Sequence, residues 1–353
     1  MSKSDLENSS DSDAPSNANA VAAAKPTVWQ RFKASLKRWW WCYVIGVSIV
    51  VLVVVLPIVY VGIPHIANSY INKYQFDYEG LAITNPRPTA FHIKQSTKLK
   101  IGGGFSGSGT LTPFNASCKV QSSDEEFAVF TMPTIDFGKG ANLDIDQDLE
   151  LSCVDCMSQL AVEAVTNHSF GVLITGTPYL KYEALPTAHL NIHMLMHMNG
   201  YNFTGEFTEE VYFLNENGAF NVTSVDLLDP PVDGFNVNAT MTIRNPTPFI
   251  IEMGHITFNL SMGGSDLGYI DLPNLMLQQD VSSSVVLGNL DISMLVHEAL
   301  FGDGELGEVT IDVKGHSCDY NGLEIPYFAA AIKAIQASTT LDLLNYASSL
   351  QNF

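Results

Sequence analysis

Hydrophobic and polar positions follow three different rules along this chain. From Trp39 to Pro64 no residue is charged, and Val50 to Leu56 is purely aliphatic. A helix of about 20 residues crosses the hydrocarbon of a bilayer, so this run is long enough to span. Trp39, Trp40, Trp41 and Tyr43 make an aromatic belt at one end, with Tyr60 near the other. Pro57 is tolerated in such a span. Beyond the run the period is two. Val237, Ala239, Met241 and Ile243 alternate with polar residues, as do Ile256, Phe258, Leu260 and Met262. Alternation over short stretches broken by Gly, Pro and Asn predicts half-buried antiparallel strands of a sandwich. Ser158–Thr166 and Ser293–Phe301 read as short helical inserts. After Pro326 the period becomes helical: Ile325, Phe328, Ile332 and Ile335 form one stripe, which Leu341, Leu344 and Leu350 continue.

The β region repeats itself. Asn85, Pro86 and Pro88 correspond to Asn245, Pro246 and Pro248, and Ile101-Gly102-Gly103 corresponds to Met262-Gly263-Gly264. Met132-Pro133 then matches Leu272-Pro273, and Ile174-Thr175-Gly176 matches Val313-Lys314-Gly315, in the same order. The first copy carries an insert between its glycine turn and Met132. Each proline fixes φ and drives its predecessor to extended geometry, so Asn-Pro-x-Pro makes a corner between strands. The chain therefore divides into a tail (1–38), a transmembrane helix (39–64), two sandwich repeats (65–201 and 202–325) and a C-terminal amphipathic helix (326–353).

Charge adds an orientation. The whole chain carries 17 Lys+Arg against 37 Asp+Glu, a formal net charge of −20. Residues 1–38 hold six of the basic and four of the acidic residues, which leaves 11 against 33 for the rest. Lys25, Arg31, Lys33, Lys37 and Arg38 crowd the N-terminal flank of the span, so the positive-inside rule puts the tail in the cytosol. The acidic remainder then lies outside the cytosol. Six Asn-x-Ser/Thr sequons, at Asn115, Asn167, Asn202, Asn221, Asn238 and Asn259, fit glycosylation in a secretory lumen. Acidity excludes a protein that grips nucleic acid through clustered Lys and Arg. Residues 1–24, rich in Ser, Asn, Asp and Ala, read as a disordered tail.

The strand from Val237 to Asn245-Pro246 resembles the late-embryogenesis-abundant type-2 (water-stress/hypersensitive-response) domain, an immunoglobulin- or fibronectin-like β-sandwich. With one N-terminal span and tandem copies, residues 40–330 resemble a fungal family of single-pass vacuolar membrane proteins, which includes a yeast protein implicated in ending autophagy. The resemblance implies a mainly β fold, a vacuolar membrane location with the plasma membrane or endoplasmic reticulum as alternatives, and lipid bound by the sandwiches. It implies no catalytic residues, so the expectation is a non-enzymatic protein without a cofactor. Its partners would be the bilayer, through residues 39–64, and an apolar ligand. The rival expectation is a membrane sensor or adaptor that acts through a protein partner and its cytosolic tail.

Several local motifs have plainer readings. Gly102–Gly107 fits G-x-G-x-x-G, but Thr110-Leu111-Thr112-Pro113 follows where a dinucleotide site needs a helix. Asp144, Asp146 and Asp148 open like a calcium loop, yet Leu149 stands where that loop needs glycine, and Leu143, Ile145 and Leu149 predict a strand with an acidic face. His193 and His197 among Met194, Met196 and Met198 suggest copper chemistry, against a methionine stripe packed in a core. No metal site is expected. Cys118, Cys153, Cys156 and Cys318 are disulfide candidates, with Cys118 expected to bridge to one of the Cys153–Cys156 pair. Cys42, at the membrane boundary, is a candidate for palmitoylation.

Overall fold

The computed structural model describes residues 28–62, 65, 80–99, 109–137, 141–182, 187–203, 220–302, 304 and 306–343. The chain forms two units, Met1–Ile58 and Val59–Phe353. In the first, helix α1 (Val28–Pro57) runs on into a π-helical turn, Ile58–Gly62. The wider turn begins directly after Pro57, whose ring has no N–H to donate and crowds the carbonyl four residues back. Among the described residues, Val44–Gly62 is the helical stretch long and apolar enough to cross a membrane. Its side chains from Val44 to Leu56 are all exposed.

The second unit is mainly β. Its first copy supplies β1 (Ala82–Arg87), β2 (Ala90–Leu99), β3 (Gly109–Leu111), β4 (Phe114–Val120), β5 (Glu126–Met132), β6 (Ile135–Phe137) and β7 (Ala141–Glu150). Helix α2 (Val154–Thr166), β8 (Ser169–Gly176), β9 (Tyr179–Tyr182), β10 (Ala188–His189) and β11 (Ile192–Asn199) follow. The second copy supplies β12 (Phe220–Val232), β13 (Phe235–Asn245), β14 (Ile250–Met262), β15 (Ser265–Leu277), β16 (Asp280–Leu290), α3 (Ile292–Phe301) and β17 (Glu308–Tyr320). The short β18 (Leu323–Glu324), α4 (Pro326–Ala334) and β19 (Gln336–Asp342) complete the described chain.

The predicted alternation is present. In β14, Ile256, Phe258, Leu260 and Met262 are buried, and β13 buries Val237, Ala239, Met241 and Ile243. Gly263 and Gly264, with φ of 55° and 80°, make the tight turn between β14 and β15 that a right-handed twist of the strands requires. The helical inserts fall where the sequence puts them, α2 between β7 and β8 and α3 between β16 and β17.

Element order is shared by the copies, but pairing is not. β14 and β16 flank β15, whereas their counterparts β2 and β7 pair with each other directly. The insert explains the difference. It contributes β4, which takes β5 and β8 into a separate sheet of order β11-β8-β4-β5. A further sheet has the order β10-β9-β3-β6. The largest sheet runs β12-β13-β16-β15-β14-β1-β2-β7, with β17 beside β14, so it contains strands of both copies. The join is a short parallel pairing, Ala82 with Ile250 and Ile83 with Ile251, and the Ile250 N–H donates to the Leu81 carbonyl at 2.9 Å. The buried side chains of both copies form one cluster, from Phe91 to Ala337. The division drawn at residues 201 and 202 lies beside 204–219, which fall outside the described residues.

The expected helix over 326–353 is corrected. Ile325, Phe328, Ile332 and Ile335 are all buried, as the stripe requires, but α4 ends at Ala334 and the chain continues as β19, paired with β17. Ser338, Thr339 and Thr340 are poor helix residues and good strand residues, and an open edge of β17 was available to pair them. Leu344 and Leu350 lie outside the described residues. Helix α4 packs very close to β17 at Gly315, where any Cβ would overlap the Ile332 carbonyl oxygen. Gly315→Ala must push α4 outward, and overpacking of this kind costs about 1–3 kcal/mol. Thermal unfolding of the full chain followed by circular dichroism should show a lower Tm; an unchanged Tm would mean that α4 is free to shift.

Candidate functional site

Apolar residues of β2, β7, β8, β11 and β14 line one space, together with residues of α2 and α4. It is a cavity of about 250 Å³. Its wall includes Phe91 of β2, Leu143 of β7, Val172 of β8, Met196 of β11, Ile256 of β14 and Ile332 of α4. Both copies therefore build it. The methionines of β11 point inward and are buried, while His193 and His197 are exposed on the opposite face. The stripe is core, and its flexible thioethers line the cavity.

Polar groups in the wall are few. Thr247 is already committed, its hydroxyl donating to the Asn245 Oδ1 at 2.8 Å. Gln95 is buried among apolar neighbours. Burial, with the Glu126 charge adding to it, pushes the Cys118 thiol up to about 12, so it stays protonated and is no nucleophile at neutral pH. Burial likewise raises the Tyr201 phenol. Tyr201 lines this wall, and its hydroxyl, itself buried, has no hydrogen-bond partner among the described residues. Nothing in the sequence pattern marks Tyr201 or Tyr327: single aromatics outside a periodic stripe look alike before packing is known.

The Asn-Pro corners differ between copies. Asn245 is buried and holds its corner by its own amide, with Nδ2 donating to the carbonyls of Phe249 and Gln278 at 2.7 and 2.9 Å. Its Oδ1 accepts from the Thr247 N–H at 3.0 Å. Asn85 instead is exposed at φ 48°, and its backbone N–H donates to Glu252 Oε2 on β14 at 2.8 Å. Pro86 is fully buried, while Pro88, Pro246 and Pro248 are half-buried.

The cysteine expectation is corrected. Cys153 and Cys156 bond to each other, and Cys118 and Cys318 are buried free thiols. Three residues apart across the first turn of α2, the pair stands 5.3 Å apart at Cα, inside the range a disulfide accepts. Cys118 faces the core from β4. Cys153 also caps α2, its Sγ accepting from the Cys156 N–H at 3.1 Å.

Of the sequons, Asn115, Asn167 and Asn259 are exposed and Asn202, Asn221 and Asn238 half-buried. Gly102–Gly107 and the Cys42 side chain lie outside the described residues.

Asp144, Asp146 and Asp148 stand on the exposed face of β7, opposite Leu143, Ile145 and Leu149, which are buried. Asp148 meets His92 Nδ1 and Arg87 Nη2, both at 2.9 Å, and Asp146 meets His92 Nε2 and Lys94 Nζ, both at 3.1 Å. Asp144 accepts from Ser96 Oγ at 2.5 Å. Asp144, Asp146 and Asp148 stand directly opposite Ser96, Lys94 and His92 of β2. Among the described residues no group of three His, Cys, Asp or Glu is placed to hold a metal ion.

A family described as a protein of unknown function, DUF3712, matches residues 125–260, from just before β5 into β14 and so across both copies. Among curated proteins none matches. The periplasmic chaperone SfaE is similar at 9% identity over 74% of this chain and 97% of its own, with a TM-score of 0.14. The collagen adhesin CNA from S. aureus is similar at 7% identity over 74% and 89%, with a TM-score of 0.13. Scores this low carry no argument about fold or function.

Hydrogen bonds from Lys94 to Asp146, and from His92 and Arg87 to Asp148, hold these carboxyls below the ordinary carboxylate range. A carboxyl depressed in the folded state stabilises above its unfolded pKa of about 3.9, and that contribution fades as pH falls through the lower folded value. Both groups are exposed, so the effect is small and screened. Asp148→Asn should lower the urea midpoint near neutral pH, converge on the unmutated chain below the carboxylate range, and lose its effect in 1 M salt. A deficit that persists unchanged at low pH would locate the cause in packing.

Proposed function

We propose that this chain is a non-enzymatic, single-pass membrane glycoprotein whose β unit binds lipid or another apolar ligand. The cavity carries the reading. An apolar space of about 250 Å³ has a wall drawn from both copies, and concave, mostly apolar spaces are where proteins bind small apolar ligands. The basic flank before the span supports a cytosolic N-terminus. The exposed sequons support a lumenal β unit, and the family resemblance favours the vacuolar membrane.

Full chain purified in detergent should carry lipid that a cavity-filling variant, Ala161→Phe, lacks, as read by mass spectrometry of organic extracts. His197→Ala, on the outer face of β11, should retain it. Equal lipid in all three would remove the basis of the ligand reading and favour a sensor or adaptor acting through its tail.

Lumenal placement has its own test. Peptide-N-glycosidase should reduce the apparent mass of protein from a eukaryotic host. Replacing Asn115, Asn167 and Asn259 together by Gln should abolish most of that shift, because these three are the exposed acceptors. No shift at all would place the β unit on the cytosolic side.

A further inference from the structure

Thioethers are concentrated around the cavity. Of the eleven methionines in the chain, Met132, Met157, Met194, Met196, Met198 and Met253 line it. They come from β5, α2, β11 and β14, so different elements each bring sulfur to the same space. Leucine fills a core position of similar volume with better-defined rotamers, so packing alone does not call for methionine at so many of these positions. A methionine side chain is unbranched, turns about three bonds and carries a polarisable sulfur, which lets it fit itself to whatever it meets.

Position adds to composition. Met194, Met196 and Met198 lie on β11, the outermost strand of the sheet β11-β8-β4-β5, which pairs with β8 alone among the described strands. The neighbouring β8 brings Val172 and Ile174 to the wall, both branched at Cβ and stiff in χ1. Side chains of β8 are therefore rigid, and those of the strand at the sheet's edge are pliant. From this distribution we infer that the cavity is an adaptable site, which takes apolar ligands of similar size but different shape, whether straight chain, saturated ring or aromatic ring, with little discrimination among them. The methionines re-pack around each occupant, as thioether-rich surfaces do in proteins that bind many partners. The inference rests on the ligand reading above and adds its selectivity. Cavities of about 150 Å³ admit benzene, so a space of about 250 Å³ has room for a hydrocarbon of about eight carbons.

The test equilibrates full chain in lipid nanodiscs with octane, cyclooctane or ethylbenzene vapour. Gas chromatography of the headspace reads the uptake, which is referred to empty nanodiscs so that each probe's own hydrophobicity cancels. A single methylene in an apolar pocket is commonly worth tenfold or more, so an adaptable site should hold the three corrected affinities within about threefold of one another. Met194→Leu, Met196→Leu and Met198→Leu together keep the volume and apolarity of the row but branch and stiffen it. This triple variant should widen the spread toward about tenfold. Met241→Leu with Met262→Leu, at buried positions outside the cavity wall, should leave the spread as it was. If circular dichroism shows that the triple variant does not fold, Met157→Leu with Met253→Leu, on α2 and β14, carries the same expectation. A spread above about threefold in the unmutated chain, no widening in the wall variants, or equal widening in the Met241 and Met262 variant overturns the inference while the broader reading stands. If none of the three hydrocarbons binds the unmutated chain beyond empty nanodiscs, the broader reading fails and the inference falls with it.

Discussion

The β unit closes through α4, and its geometry depends on how that helix is held. Nine residues are too few for a helix to persist in water, since nucleation is costly and each turn adds little. Packing holds it instead. Tyr327, Phe328, Ala329, Ala331 and Ile332 are all buried. The Tyr327 hydroxyl lies 3.2 Å from the carbonyls of both Arg87 and Ala90, across the β1–β2 turn some 240 residues earlier. Phe91 meets the same ring edge-on at 6.0 Å. Gly315 lets the helix backbone come down onto β17. A segment from the end of the chain thus grips a turn near the start of the β unit, and its Phe328 and Ile332 help to line the cavity.

This explains why two copies of one module share a core. With α4 bridging β17 to the β1–β2 turn, and β1 paired to β14, each copy covers apolar surface that the other would leave open. The insert of the first copy works in the same direction. By drawing β5 and β8 into a sheet with β4 and β11, it builds the wall facing β2, β7 and β14. The space left between those walls is the cavity.

Much of this was readable in the sequence because it rests on period and punctuation. The strands of β13 and β14, the methionine stripe of β11, the acidic face of β7 and both helical inserts follow from alternation and spacing alone. What could not be read depends on distances between remote segments. The Asn-Pro motif marks a corner, but only packing shows that Asn245 holds it with a buried amide while Asn85 reaches Glu252 through its backbone. The cysteine pairing turned on one helical turn, since a cap at Cys153 brings Cys156 within bonding reach. The C-terminal stripe holds to Ile335 and fails at Leu341, where the chain pairs as β19 with the edge of β17 instead of continuing the helix.

Charge is segregated in this unit, and the segregation constrains its chemistry. Ionised groups such as Asp146, Asp148, Arg87 and Lys94 stand on outer faces, paired across strands and open to solvent. The cavity side of β2 and β7 is carried by the alternate residues, Phe91, Ile93, Leu143, Ile145 and Leu149. Because strand period is two, one residue of slip in the β2–β7 register would exchange these faces and put carboxylates into the cavity. The ion pairs on the outside, each weak by itself, therefore favour the one register that keeps the inside neutral. The acidic outer face and the uncharged lining of β2 and β7 are thus two consequences of the same strand register.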